Sequence, residues 1–153
     1  MQKIESQIME THKIAIACDH AGFQMKEFLK KQLTQQGFEI IDYGTDSDQS
    51  VDYPDYAHKV GYAISSGEIA IGIVLCGSGN GVNMTVNKHK GVRSALCWNE
   101  EIARLARAHN NANVCALPAR FISAQDAWRI VQMFLSSDFE GGRHEKRINK
   151  IDL

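Results

Sequence analysis

Apolar and polar residues follow two rhythms along this chain. Compact, nearly unbroken apolar runs occur at residues 13–18 (Lys13-Ile14-Ala15-Ile16-Ala17-Cys18), 38–43, 71–76, 91–97 and 113–117. Runs of this length read as five strands, of the kind buried on both faces within a parallel sheet. Between them the spacing changes to that of helices packed by one face. Phe23, Phe28, Leu29 and Leu33 form an apolar stripe in a helix reaching about Gln36, and Ala127, Ile130, Val131, Phe134 and Leu135 form another within residues 123–135.

Local signals punctuate the same elements. Asp19 is placed to cap the first helix and Gly37 to stop it. Tyr53-Pro54-Asp55 opens a helix that runs to about Ser66, with proline in its first turn. A further helix is expected from near Val82, and another over residues 99–108, where Glu100 and Glu101 suit the positive end of the helix dipole. Strands alternating with helices predict an α/β protein, a three-layer Rossmann-like sandwich with a five-stranded parallel sheet and helices on both faces. In such a sheet ligands gather at the carboxyl ends of the strands. Residues 1–12 read as a polar leader and 13–153 as a single domain.

Composition narrows the classes of function. Hydrophobic residues make up 44% and charged residues 23%, and the formal net charge is −1, which argues against general affinity for nucleic acid or acidic membranes. No apolar run approaches the length of a membrane span, and the leader lacks the apolar core of a secretory signal, so a cytoplasmic protein is expected. Cys18, Cys76, Cys97 and Cys115 lie in or at the ends of strands without a Cys-x-x-Cys pair, which predicts free thiols. No His, Cys and carboxylate set shows metal-ligand spacing, so no metal or other cofactor is expected.

The stretch with the most chemistry follows the third strand. Cys76 stands at its end, and Gly77-Ser78-Gly79-Asn80-Gly81 lets the backbone turn sharply and bring its N–H groups to a ligand. The loop lacks the spacing of the dinucleotide fingerprint and the lysine of a Walker A loop. Cys76 has two comparable readings at this point, a small buried hydrophobe or a base at a strand-to-helix junction. Asp19, His20 and Arg120 follow the first and fifth strands and share that rim, while His109 and Asn110 precede the fifth strand at the opposite end of the sheet. They would reach Cys76 only across a subunit interface. Arg143 and Arg147, four residues apart, face one way on a helix and offer a place for phosphate.

The segments Cys18-Asp19-His20-Ala21-Gly22-Phe23, Asp52-Tyr53-Pro54, Cys76-Gly77-Ser78-Gly79-Asn80-Gly81, Asn87-Lys88, Arg107-Ala108-His109-Asn110 and Glu140-Gly141-Gly142-Arg143-His144-Glu145-Lys146-Arg147 closely resemble the type B ribose-5-phosphate isomerases. The wider family includes allose-6-phosphate isomerase and the subunits of galactose-6-phosphate isomerase. The resemblance implies a metal-free aldose–ketose isomerase of the pentose phosphate pathway, acting on a phosphorylated sugar as a homodimer or dimer of dimers with shared active sites. By that likeness an exposed Cys76 is the base, Ser78 and the N–H groups of residues 77–81 hold the enediolate oxygen, and Asp19 and His109 serve ring opening. His20, Arg120, Arg143 and Arg147 grip the phosphate, Tyr53 lines the sugar pocket, and Asn110 enters with His109 from the neighbouring subunit. Asn80 and Asn83 stand where the family more often has an aliphatic residue and a serine, and Pro118 where glycine is common. These departures bear on sugar length, so the alternatives are a six-carbon substrate or a phosphosugar-binding protein without catalysis.

Overall fold

The computed structural model describes residues 12–153, and residues 1–11 of the polar leader lie outside the described residues. Five strands, β1 (Lys13–Cys18), β2 (Glu39–Asp42), β3 (Ile71–Cys76), β4 (Ser94–Leu96) and β5 (Val114–Pro118), form one parallel sheet in the order β2-β1-β3-β5-β4. The helices are α1 (Phe23–Gln35), α2 (Tyr53–Ser65), α3 (Asn80–Val86), α4 (Glu100–Ala108), α5 (Ala124–Ser136) and α6 (Arg143–Ile148).

Strand alternation sorts the core into two halves. Ile14, Ile16, Ile73, Leu75, Cys115 and Leu117 project to one face and pack with Leu29 and Leu33 of α1, Ala103 of α4 and Phe134 of α5. Ala15, Ala17, Val74, Cys76 and Ala116 project to the other and meet Val60 of α2 and Val82 of α3. Bulky side chains thus fill one layer and small ones the other. Fully burying a Leu or Ile side chain stabilises by about 1.5–3 kcal/mol, so the first layer carries the larger share.

Two element boundaries differ from expectation. Helix α3 begins at Asn80 rather than near Val82, because Gly79 takes a left-handed φ of 77° and turns the chain directly into it. The fourth strand shrinks to Ser94–Leu96 at the sheet edge, where Gly91 has φ 81° and Arg93 turns its guanidinium onto the carbonyls of Asn110 and Asn111.

One member of the α1 stripe was not legible as core. Lys26 is fully buried, its Nζ 2.6 Å from Asp42 Oδ2 and 3.3 Å from Glu27 Oε1. Lys30 adds a second cation 2.7 Å from the same Asp42 oxygen. Burial raises the Asp42 pKa, but the lysines and the Gly44 N–H outweigh it and hold the carboxyl below its ordinary range.

Candidate active site

The sheet order creates a switch point between β1 and β3. The chain leaves β1 toward the face that carries α1 and leaves β3 toward the face that carries α3, so the two loops part and open a crevice at their carboxyl ends. Asp19 and His20 line one side of it, and residues 76–81 line the other. The Asp19 N–H donates to Leu75 O at 3.2 Å, which ties the first loop to the end of β3.

Each side chain on this rim is held by its neighbours. Asp19 is 7% exposed, and its Oδ1 accepts from the N–H groups of Ala21 (2.9 Å) and Gly22 (3.3 Å), capping a short 3-10 turn before α1. His20 Nδ1 accepts from the Val51 N–H at 3.2 Å, which leaves Nε2 as the donor of the neutral ring. In the glycine loop the Asn80 N–H donates to Ser78 Oγ at 3.3 Å. The first helical bond runs from Asn83 N to Gly79 O, so the Gly81 and Val82 N–H groups lie outside the intrahelical ladder.

Close approaches explain two of the loop glycines. A Cβ at Gly79 would stand 2.5 Å from Leu96 Cδ1 and 3.1 Å from the Leu117 carbonyl, besides straining a positive φ. At Gly81 it would stand 2.5 Å from the Tyr53 ring, so that ring lies directly on the first turn of α3. The Arg120 guanidinium lies beside Gly77, and the Arg120 N–H donates to Gly77 O at 3.0 Å. Pro118 pairs with Cys76 across the sheet, and Asn83 Oδ1 is enclosed without a hydrogen-bond partner.

Cys76 is not the exposed thiol expected. It packs with Val82 and Ala116 and is 5% exposed, because the loop and α3 fold over the end of β3. It is still the least enclosed of the four cysteines, the others being at 0 or 1%. All four are free. Burial pushes the Cys18 thiol up to about 12, and Cys115 is raised by its hydrogen bond with Cys97 and by burial.

The remaining site candidates assemble at the other end of the sheet. His109 follows α4 and precedes β5, so it sits at the amino rim, as does Asn110, whose carbonyl accepts from Arg93. The Glu140 N–H donates to Ala108 O at 3.0 Å and docks the C-terminal segment there. Helix α6 follows, and the His144 ring stacks on His109 with centroids 4.2 Å apart and an interplanar angle of 12°. Arg143 and Arg147 belong to this six-residue helix, so within one chain they accompany His109 and not Cys76. An open groove of about 770 Å³ lies on the same rim, bordered by Asn87, Arg93, Ser94, Asn110 and the C-terminal Leu153.

His109, Glu140 and His144 also bring their donor atoms within 4.8 Å of one another, a grouping that the linear spacing did not reveal. The signal for it in sequence is faint. Glu140 and His144 are four apart, but His109 reaches them only through the backbone bond at Ala108.

Comparison with known proteins places this arrangement among related chains. Residues 14–151 match the model of the Ribose/Galactose Isomerase family. The chain is 41% identical over 139 residues to ribose-5-phosphate isomerase B of Escherichia coli strain K12, covering 91% of this chain and 93% of that one. Among solved structures it is similar to a ribose 5-phosphate isomerase from Thermotoga maritima, with 55% identity, a TM-score of 0.89, and coverage of 92% of this chain and 97% of the other. It is also similar to the Mycoplasma genitalium ribose-5-phosphate isomerase B with bound ribulose-5-phosphate, with 42% identity, a TM-score of 0.88, and coverage of 91% and 93%.

Proposed function

Because the chain belongs to the Ribose/Galactose Isomerase family, we infer that it is an aldose–ketose isomerase that interconverts ribose 5-phosphate and ribulose 5-phosphate. The observation that carries this reading is the placement, at the switch point, of Cys76 directly before a glycine loop and helix start whose Gly81 and Val82 N–H groups lie outside the intrahelical ladder.

In this reading Cys76 takes the proton from C2 of the open-chain aldose and returns it to C1. The intermediate is an enediolate, and its negative oxygen is met by N–H donors of residues 77–81 and by the Ser78 hydroxyl. One such preorganised donor is typically worth about 3–4 kcal/mol in the transition state. Asp19 and His109 move the protons of ring opening, and Tyr53 walls the sugar. His20 donates from Nε2 to the phosphate, and Arg120, Arg143 and Arg147 bind it through guanidinium groups, whose forked donors suit phosphate oxygens.

That assignment needs two chains, since His109, Asn110, Arg143 and Arg147 sit at the amino rim of their own subunit. We infer a homodimer, or a dimer of such dimers, in which the amino rim of one copy closes the carboxyl rim of the other. Tyr62, Met84, Trp98 and Phe121, at 66, 65, 55 and 76% exposure, offer the apolar surface a second copy would cover. Among the described residues no helix is long and apolar enough to cross a membrane.

The reading is tested by turnover of ribose 5-phosphate beside allose 6-phosphate and galactose 6-phosphate. The pentose is expected to lead in kcat/KM. A hexose preferred by tenfold or more would replace it as substrate, and phosphosugar binding without turnover of any of the three would leave only a binding protein.

A further inference from the structure

The amino-rim cluster has a geometry that proton transfer alone does not require. His109 Nε2 lies 3.8 Å from Glu140 Oε1, and His144 Nε2 lies 4.0 Å from Glu140 Oε2, so two imidazole nitrogens flank one carboxylate. The chain builds this convergence from its backbone. The Ala108–Glu140 bond fixes Glu140 one residue from His109, Gly141 and Gly142 turn the chain at φ 68° and 58°, and α6 then returns His144 onto the His109 ring.

We infer that His109, Glu140 and His144 form a three-ligand site for a zinc-class divalent cation, and that filling it stops isomerisation. The second half rests on the ring-opening role proposed for His109. Two imidazoles and a carboxylate with open positions toward solvent are a donor set that zinc accepts at about 2.0–2.2 Å. Tetrahedral angles at those lengths put donor atoms about 3.4 Å apart, so closure around an ion requires each pair to contract by no more than about 1.5 Å and the stacked His109 and His144 rings to turn apart until both in-plane lone pairs meet the ion. His109 is partly exposed and Glu140 half exposed, so both have room to move.

The surroundings select the kind of ion. Arg104 adds positive charge near Glu140, and Arg143 and Arg147 add it near His144. A hard cation held by oxygen alone would gain little against that charge, whereas nitrogen ligands favour the later transition ions. Magnesium and calcium are therefore not expected to bind. Once an ion holds Nε2 of His109, that nitrogen can neither take nor give the proton of ring opening.

Metal-stripped full-length protein is titrated with Co²⁺, whose visible absorption reports the ligand set, and then with Zn²⁺ to displace it, while ribose 5-phosphate turnover is followed in parallel. The expected result is one ion per chain, inhibition that tracks occupancy, and recovery on adding EDTA. Glu140→Gln and His144→Asn should each weaken Co²⁺ binding at least tenfold and shift Zn²⁺ inhibition, scaled to each variant's own metal-free rate, by a similar factor. Circular dichroism checks that both remain folded. Three outcomes overturn the site: no Co²⁺ band, unchanged Co²⁺ affinity in both variants, or Zn²⁺ inhibition unchanged in both variants together with loss of Co²⁺ binding in Cys76→Ala, which would place the ion on the thiol. An ion bound at the triad with full turnover overturns the inhibitory part. Absence of turnover in the metal-stripped wild type would sink the isomerase reading instead, with the Co²⁺ spectrum still deciding the site.

Discussion

The two rims of the sheet are built on opposite plans. At the carboxyl rim Asp19 caps a turn, His20 takes the Val51 N–H, and the glycine loop is wedged between Leu96, Leu117 and the Tyr53 ring. At the amino rim the candidates are charged, more exposed and mounted on a six-residue helix after a Gly-Gly turn. A site that stabilises a developing charge needs fixed dipoles, because donors that must reorganise lose their advantage. A site that captures a phosphate needs reach and charge. In the proposed reading the carboxyl rim supplies the base, the enediolate donors and part of the phosphate grip, and the amino rim adds Arg143, Arg147 and the ring-opening His109, so a lone chain would be incomplete.

The largest expected effect tests that division directly. Cys76→Ala should lower kcat about a thousandfold or more, within the range of a lost general base. A His109→Ala chain should be severely impaired as well. When the two inactive chains are refolded together, half of the symmetric dimers are mixed and each carries one intact site, so about a quarter of wild-type activity should return. If the mixture stays as inactive as its parents, the two rims do not meet across subunits. Full activity of Cys76→Ala alone would remove the proposed base.

A smaller effect sharpens the capture side. Arg143→Ala should raise KM about 30-fold with kcat little changed, because a charge-assisted bond to phosphate of about 2 kcal/mol is made equally in ground and transition states. Steady-state kinetics with ribose 5-phosphate provide the check. A fall in kcat at unchanged KM would move Arg143 from capture to chemistry.

What the sequence made legible follows the same partition. The strand Ile71–Cys76 and its loop stood out because a six-residue apolar run ending in cysteine and three alternating glycines leaves few other conformations. The separation of His109 from Cys76 was also readable, since a parallel sheet fixes which loops share an end. Strand order was not, because it depends on where each crossover lands rather than on any local pattern. Lys26 was hidden for a related reason: its partner Asp42 lies 16 residues away on another element. The enclosure of Cys76 depends on α3 starting at Asn80, which in turn depends on the conformation of Gly79. The His109, Glu140 and His144 cluster needed a single backbone bond between distant segments to become visible.

The smallest effect on rate, and the one that asks how the carboxyl rim is held from behind, concerns Asp42. Its Oδ1 accepts the Gly44 N–H at 2.8 Å, and Gly44 O in turn accepts the Cys18 N–H at 2.8 Å, so the Lys26–Asp42 pair supports the strand end that carries Asp19. Asp42→Asn leaves the buried Lys26 amine with Glu27 alone, and the loss should be about 2 kcal/mol, reduced from that of a fully buried pair because Asp42 is partly exposed and Glu27 remains. For a chain of this size that lowers the melting temperature by about 4–8 °C at pH 7. The sign of the pH dependence follows from the lowered Asp42 pKa. Its contribution is complete above the unfolded carboxylate value, about 3.9, and is lost as pH falls through the lower folded value. Wild type and variant should therefore begin to converge in stability as pH falls below about 4 and meet only below the lowered folded value, while kcat/KM at 25 °C stays within about threefold. Equal melting temperatures at pH 7 would show that the buried pair contributes nothing net. A large loss of kcat/KM in a variant still folded at 25 °C would show instead that the rim's geometry, and not its stability alone, depends on this charge.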